Sequence, residues 1–135
     1  MKILKINHVG LVPKDLSQCQ NFFKNILQIS HGGSEIVTEQ KVAVDFFDIP
    51  HARLEVLAPT DSTSPIAKFL TERGSGIQHI ALEVDNIHEW LLYLKKNNVQ
   101  MIDENPRTGA HNTLIAFVHP RATGGLLIEL VQEKK

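Results

Sequence analysis

The chain has little of what would tie it to special chemistry or to a particular partner. Cys19 is the one cysteine in 135 residues, so no intrachain disulfide forms and zinc–thiolate clusters are excluded. That fits a reducing compartment, and a cytoplasmic setting is the expectation. Neither charge sign dominates: fourteen basic side chains stand against fifteen acidic ones, so neither nucleic acid nor an anionic membrane is an expected partner. No apolar run approaches the length of a membrane span. The opening residues are interrupted by Lys5, Asn7 and His8 before a signal-peptide core could form. Eight glycines and six prolines are scattered, which excludes collagenous and low-complexity readings. What is present, 42% apolar and 21% charged residues, is the balance of one globular domain, expected to span 1–135.

The chain says the same thing twice. At an offset of 71, His8 meets His79, Val9 meets Ile80, Leu11 meets Leu82, Leu16 meets Ile87 and Phe22 meets Tyr93. Asp15 with Gln18, and Asn86 with Glu89, repeat the spacing of a helix N-cap and its partner three residues on. Apolar residues then recur at helical spacing, as Leu16, Cys19, Phe22, Phe23 and Ile26, and as Ile87, Trp90, Leu91 and Leu94. Strand-like runs precede each helix, at Ile3–Val12 and Ile77–Val84. Others follow, at Glu35–Asp48 and Arg53–Ala58 in the first half, and at Val99–Ile102, Thr113–Val118 and Leu126–Gln132 in the second. A linker helix is expected near 65–73, with Ser64 as cap, Pro65 in its first turn and Gly74 as its stop. The predicted fold is α+β, built of two half-modules at about 3–58 and 77–132.

The repeat also says where to look for a site among seven histidines. His8 and His79 occupy equivalent places on the opening strands. Glu55 and Glu129, at an offset of 74, lie among apolar neighbours on the last strand of each half. A single strand histidine is ordinarily a satisfied, partly buried residue, and Glu55 could share a solvated face with Arg53. A matched quartet is harder to assign to chance. Two imidazoles and two carboxylates without thiolate suit Co²⁺, Ni²⁺, Mn²⁺, Zn²⁺ or Fe²⁺. With six-coordination, two positions stay open for a chelating substrate. His31, His51, His88, His111 and His119 have no such pairing, and Cys19 reads as a core residue on the helix stripe.

At these residues the chain resembles the vicinal oxygen chelate superfamily (glyoxalase/bleomycin resistance/dioxygenase) and, within it, the methylmalonyl-CoA epimerases. The resemblance runs along nearly the whole chain. It is carried by Asn7-His8-Val9-Gly10, Glu55-Val56-Leu57-Ala58-Pro59, the linker Ser64-Pro65-Ile66-Ala67-Lys68-Phe69-Leu70, Gly76-Ile77-Gln78-His79-Ile80-Ala81, Asp103-Glu104-Asn105-Pro106-Arg107 and the stretch from His119 to Leu130. The strand motifs are common to the superfamily. The linker helix and the stretch beginning His119-Pro120-Arg121 are more specific to the epimerases.

The resemblance implies duplicated βαβββ modules whose curved mixed sheets surround one divalent metal ion held by His8, Glu55, His79 and Glu129. It also implies an acyl-CoA substrate, a homodimer, and isomerase activity that interconverts (R)- and (S)-methylmalonyl-CoA by moving an α-proton, with Glu129 as one proton carrier. Alternatives on the same fold are a glyoxalase I-type lyase and a non-catalytic small-ligand-binding protein; ethylmalonyl-CoA is another possible substrate. The expected place of a second acid holds Val44. A hairpin symmetric about 49–52 puts Phe46 opposite Glu55 and turns Asp45 away, unless the register slips by one. Arg121 and Lys68 are candidate contacts for the anionic CoA thioester.

Overall fold

The computed structural model describes residues 1–134. It divides into two units, residues 8–78 and residues 1–7 together with those from 79 onward. The opening strand β1 (Ile3–Val12) passes from the second of these into the first between Asn7 and His8.

In the unit of residues 8–78, β1 leads through α1 (Leu16–Asn21) to β2 (Ser30–Val37), β3 (Val42–Ile49), β4 (Ala52–Pro59) and α2 (Pro65–Arg73). The strand order is β2-β3-β4-β1. The last strand lies parallel to the opening one, with His8 beside Arg53 and Gly10 beside Glu55. Strand β3 runs antiparallel to β4, with Ile49 opposite Ala52, Phe46 opposite Glu55 and Val44 opposite Leu57. Asp15 caps α1 by accepting from the Gln18 N–H at 3.0 Å, and Ser64 caps α2 by accepting from the Ile66 N–H at 3.1 Å. Gly74 closes α2 with φ of +84°, a left-handed value that favours glycine.

The other unit repeats this topology. Strand β5 (Gly76–Val84) leads through α3 (Ile87–Lys96) to β6 (Arg107–Thr108), β7 (Leu114–Val118) and β8 (Ile128–Gln132). Their order is β5-β8-β7-β6. Again the last strand is parallel to the opening one, with Ala81 beside Glu129, and the preceding strand is antiparallel, with Phe117 opposite Glu129. Asn86 caps α3 by accepting from the Glu89 N–H at 3.2 Å. Residues 1–7 are tied to this unit by paired bonds between Lys2 and Asp85. Asn7 adds bonds to Glu83 at 2.9 Å and Glu133 at 2.8 Å.

Two expected elements differ. The run expected as one strand over Glu35–Asp48 is two strands, β2 and β3, joined by a tight turn over Thr38–Gln40, with Lys41 left-handed at φ of 54°. A turn normally advertises itself with glycine, proline or asparagine, and this one has none. Strand β2 also begins five residues early, through Ser30-His31-Gly32-Gly33 and a bulge between His31 and Ser34. The expected strand at Val99–Ile102 is reduced to one bridge, Met101 to Val118. Val99 is instead held by the end of α3, donating to the Leu94 carbonyl at 3.0 Å, and the edge strand forms later, at Arg107–Thr108.

The helices of the two units pack unequally. Ile87 and Leu91 of α3 are buried in a cluster with Val84, Ala116 and Leu130. No residue of α1 is buried; it runs on into a wider turn over Phe22–Ile26, closed by the Leu27 N–H to the Phe22 carbonyl at 2.8 Å. A cleft of about 560 Å³, lined by Leu16, Gln20, Lys24 and sheet residues including Phe47 and Val56, lies beneath it. Leu16 and Ile87, equivalent in sequence, are 37% and 0% exposed. Ile87→Ala is therefore expected to cost about 3–4 kcal/mol of unfolding free energy, and Leu16→Ala about 1 kcal/mol or less, measured by urea denaturation.

Candidate metal centre

Strand alternation gives each sheet two faces, and the registers say which residues share one. In residues 8–78, His8, Arg53, Glu55, Phe46 and Val44 share a face. In the other unit, Ala81, Glu129, Phe117, Ile115 and Arg107 do so by their pairing, and His79 joins them two residues before Ala81. His8 is 5% exposed, Glu55 3%, His79 6% and Glu129 4%, and these four are the only buried ionisable side chains among the described residues.

Each unit pairs its own two. His8 Nδ1 lies 3.2 Å from Glu55 Oε2, and His79 Nε2 lies 3.5 Å from Glu129 Oε1. A charge-assisted hydrogen bond between such groups would close to about 2.7–2.9 Å. Two donors each about 2.1 Å from one ion are instead separated by ~3.0 Å at a right angle and ~3.4 Å at the tetrahedral angle. Both pairs thus have the spacing of neighbouring ligands, and the donor set fits a borderline divalent ion.

Electrostatics point the same way. Burial pushes the Glu129 carboxyl above the ordinary carboxylate value, opposed by the charges of His79 and then Arg107, and assisted by Asp103. A buried carboxylate of this kind is stable in its charged form only beside compensating positive charge, which a divalent cation supplies.

Around each pair the two units place the same companions. Phe46 stands opposite Glu55 and carries Arg53 over its ring at 5.7 Å. Phe117 stands opposite Glu129 and carries Arg107 over its ring at 5.9 Å. The guanidiniums are used differently. Arg53 lies 3.6 Å from Glu55 itself, whereas Arg107 Nε lies 3.0 Å from Asp103. The hairpin register had placed Phe46 opposite Glu55, as found. Phe117 was not singled out, though period-two alternation could have offered it, and Arg107 stood only within the motif Asp103–Arg107, with no role, because its strand was not expected.

Other sequence candidates fall elsewhere. The expected hairpin register holds, so Asp45 points to the opposite, helix-covered face, where it accepts from Gln20 Nε2 at 3.0 Å and pairs with His31. Glu35 of β2 stands opposite Val44 and is half-buried, which makes it the carboxylate in register with the place where an acid was expected. Lys68 is exposed and 3.9 Å from Glu72 on its own helix, and Arg121 is exposed. His119 accepts from the Arg121 N–H at 3.0 Å as the cap of a short turn.

Comparison with known proteins identifies the family. Residues 7–117 match the family described as the Glyoxalase/Bleomycin resistance protein/Dioxygenase superfamily, and the chain belongs to it. It is 37% identical to the uncharacterised Bacillus subtilis protein YqjC over 96% of this chain and 93% of that protein. It is 36% identical to the mitochondrial methylmalonyl-CoA epimerase of Bos taurus over 95% of this chain and 74% of that protein. The crystal structure of methylmalonyl-CoA epimerase from Mycobacterium tuberculosis superposes with a TM-score of 0.93, at 32% identity, covering 98% of this chain and 90% of that one.

The raised Glu129 value has a sign that can be tested. A carboxyl whose folded-state pKa exceeds its unfolded value destabilises the fold as pH rises from the ordinary 4.5 through the folded value. In chelator-treated protein, Glu129→Gln is expected to be more stable than the parent, by a margin that widens from pH 5 to pH 8. Divalent cation should remove that margin by stabilising the parent. Urea unfolding at both pH values, with and without cation, measures it.

Proposed function

We propose that the chain is a metal-dependent epimerase interconverting (R)- and (S)-methylmalonyl-CoA. The observation that carries this reading is the buried quartet, a His–Glu pair of equivalent origin in each unit, in a member of a family whose close relatives bear that name. In this reading, as the family resemblance implies, His8, Glu55, His79 and Glu129 hold one divalent ion. When bound, the ion supplies Lewis acidity to an enolisable acyl group.

The remaining work falls to the chain's own residues. The α-carbon of methylmalonyl-CoA lies between a thioester and a carboxylate, so its C–H bond is already weakened toward heterolysis. Glu129 accepts that proton: the C–H bond breaks, its electron pair stays on the substrate as an enolate, and an O–H bond forms on the carboxyl. Burial raises the basicity of Glu129 and suits it to the task. Phe46 and Phe117, opposite the two glutamates, exclude water from that face of each sheet. The epimer forms when a donor on the other side, a water or a second acid, gives a proton to the enolate carbon, whose electron pair forms the new C–H bond. Glu129 then releases its own proton to solvent. A homodimer in the cytoplasm goes with the reading, supported by the family resemblance and the unpaired Cys19.

The test follows the α-proton in D₂O by NMR. With divalent cation, methylmalonyl-CoA is expected to lose its α-proton signal catalytically. Chelator should stop this, and Glu129→Gln should slow it at least about 100-fold. Absence of washout from the cation-loaded protein would contradict the reading.

A further inference from the structure

Arg107 is a guanidinium that the structure takes trouble to hold still. Its Nε lies 3.0 Å from Asp103 Oδ1. Asp103 is itself fixed, because its Oδ2 accepts from the Phe117 N–H at 2.9 Å while its own N–H donates to the Phe117 carbonyl at 3.2 Å. The guanidinium carbon sits 5.9 Å from the Phe117 ring centre. The same ring meets the His79 imidazole edge-on, with centroids 5.5 Å apart, and stands opposite Glu129. The cation is therefore placed by an ion pair and an aromatic ring on the face that carries His79 and Glu129.

A side chain needed only to brace Asp103 would do so equally well from open water. Arg107 instead stands with its side chain about two-thirds buried, 34% exposed. Arg53, its counterpart over Phe46, spends its charge on Glu55. Arg107 Nε approaches Asp103 as an ion pair at 3.0 Å without forming a hydrogen bond, and the planar Nη fork is the part of the group whose shape can meet a ligand. A fork of this shape matches two carboxylate oxygens or two phosphate oxygens, and its fixed orientation lowers the entropy cost of binding them.

We propose that Arg107 is the specificity residue for an acyl carboxylate: its fork takes the free carboxylate of the acyl group and selects for acyl-CoA esters that carry one. This rests on the epimerase reading. It assigns to Arg107 the anion contact that Lys68 and Arg121, both exposed, were candidates to make. The rival source of the same oxygen chemistry is a phosphate of the CoA moiety, which every acyl-CoA shares.

The experiment compares two substrates of the cation-loaded protein by α-proton exchange in D₂O. Methylmalonyl-CoA has the carboxylate; 2-methylacetoacetyl-CoA keeps two chelating oxygens and an acidic α-proton but has no charge on the acyl group. Arg107→Met is expected to lower kcat/KM for methylmalonyl-CoA about 10- to 100-fold, the size of a lost charge-assisted contact. Exchange of the neutral ester should change by less than about threefold, with cation content unchanged. Arg107→Lys, which keeps the charge without the fork, should fall between. Should Arg107→Met fail to fold, Arg107→Lys and Arg107→Gln provide the same comparison. Equal losses with both esters would overturn the proposal, pointing to a CoA phosphate contact or a bracing role. No loss with either would overturn it as well. Failure of the parent protein to exchange methylmalonyl-CoA would instead contradict the epimerase reading, so the two failures are distinguishable.

Discussion

Everything else in the molecule is arranged around the cost of burying two glutamates. A carboxylate taken out of water without a partner costs several kcal/mol, and both Glu55 and Glu129 are almost fully buried on strands flanked by apolar residues. Each has a histidine of its own unit at 3.2–3.5 Å. That spacing is too long for a tight ion pair and right for neighbouring ligands of one ion. The burial of these charges is reasonable if the fold exists to hold a cation. The parallel pairing of first and last strand in each unit follows from the same need, since it lays the strand of the histidine beside the strand of the glutamate.

The duplication is faithful in the strands that carry ligands and loose elsewhere. Strand orders β2-β3-β4-β1 and β5-β8-β7-β6 are the same pattern, and each glutamate faces a phenylalanine beneath a guanidinium. The helices have diverged. Helix α3 is anchored by Ile87 at the centre of a core cluster, whereas α1 has no buried residue and overlies an open cleft. Divergence is also visible in the arginines, with Arg53 3.6 Å from the proposed ligand Glu55 and Arg107 paired with Asp103. That difference between otherwise matched halves gives one of them a charge to offer a substrate.

Much of this was legible in the residues, and the rest was hidden for identifiable reasons. The internal repeat located His8, His79, Glu55 and Glu129 without any knowledge of the fold, because period and burial pattern survive duplication. Capping chemistry placed the linker helix to the residue, since Ser64, Pro65 and Gly74 each have a single good position in a helix. The turn at Thr38–Lys41 was invisible because it is built from residues that do not announce turns, and the left-handed Lys41 is held by its neighbours rather than by its own preference. Strand β6 is two residues long, too short to show alternation, so the face on which Arg107 stands was hidden although the residue belongs to a recognised motif. Asp45 shows the opposite case: counting the hairpin register from its turn assigned it to the right face, away from the ligands.

The central claim of the proposed reading is that His8, Glu55, His79 and Glu129 serve as ligands of one divalent ion. Its most direct measurement is the stoichiometry of tight divalent-cation binding by calorimetry, checked by elemental analysis, for the parent protein, His8→Ala and His79→Ala. The account predicts one ion per chain in the parent and loss of tight binding in each variant. Two ions per chain, or one ion retained in full by either variant, would contradict it.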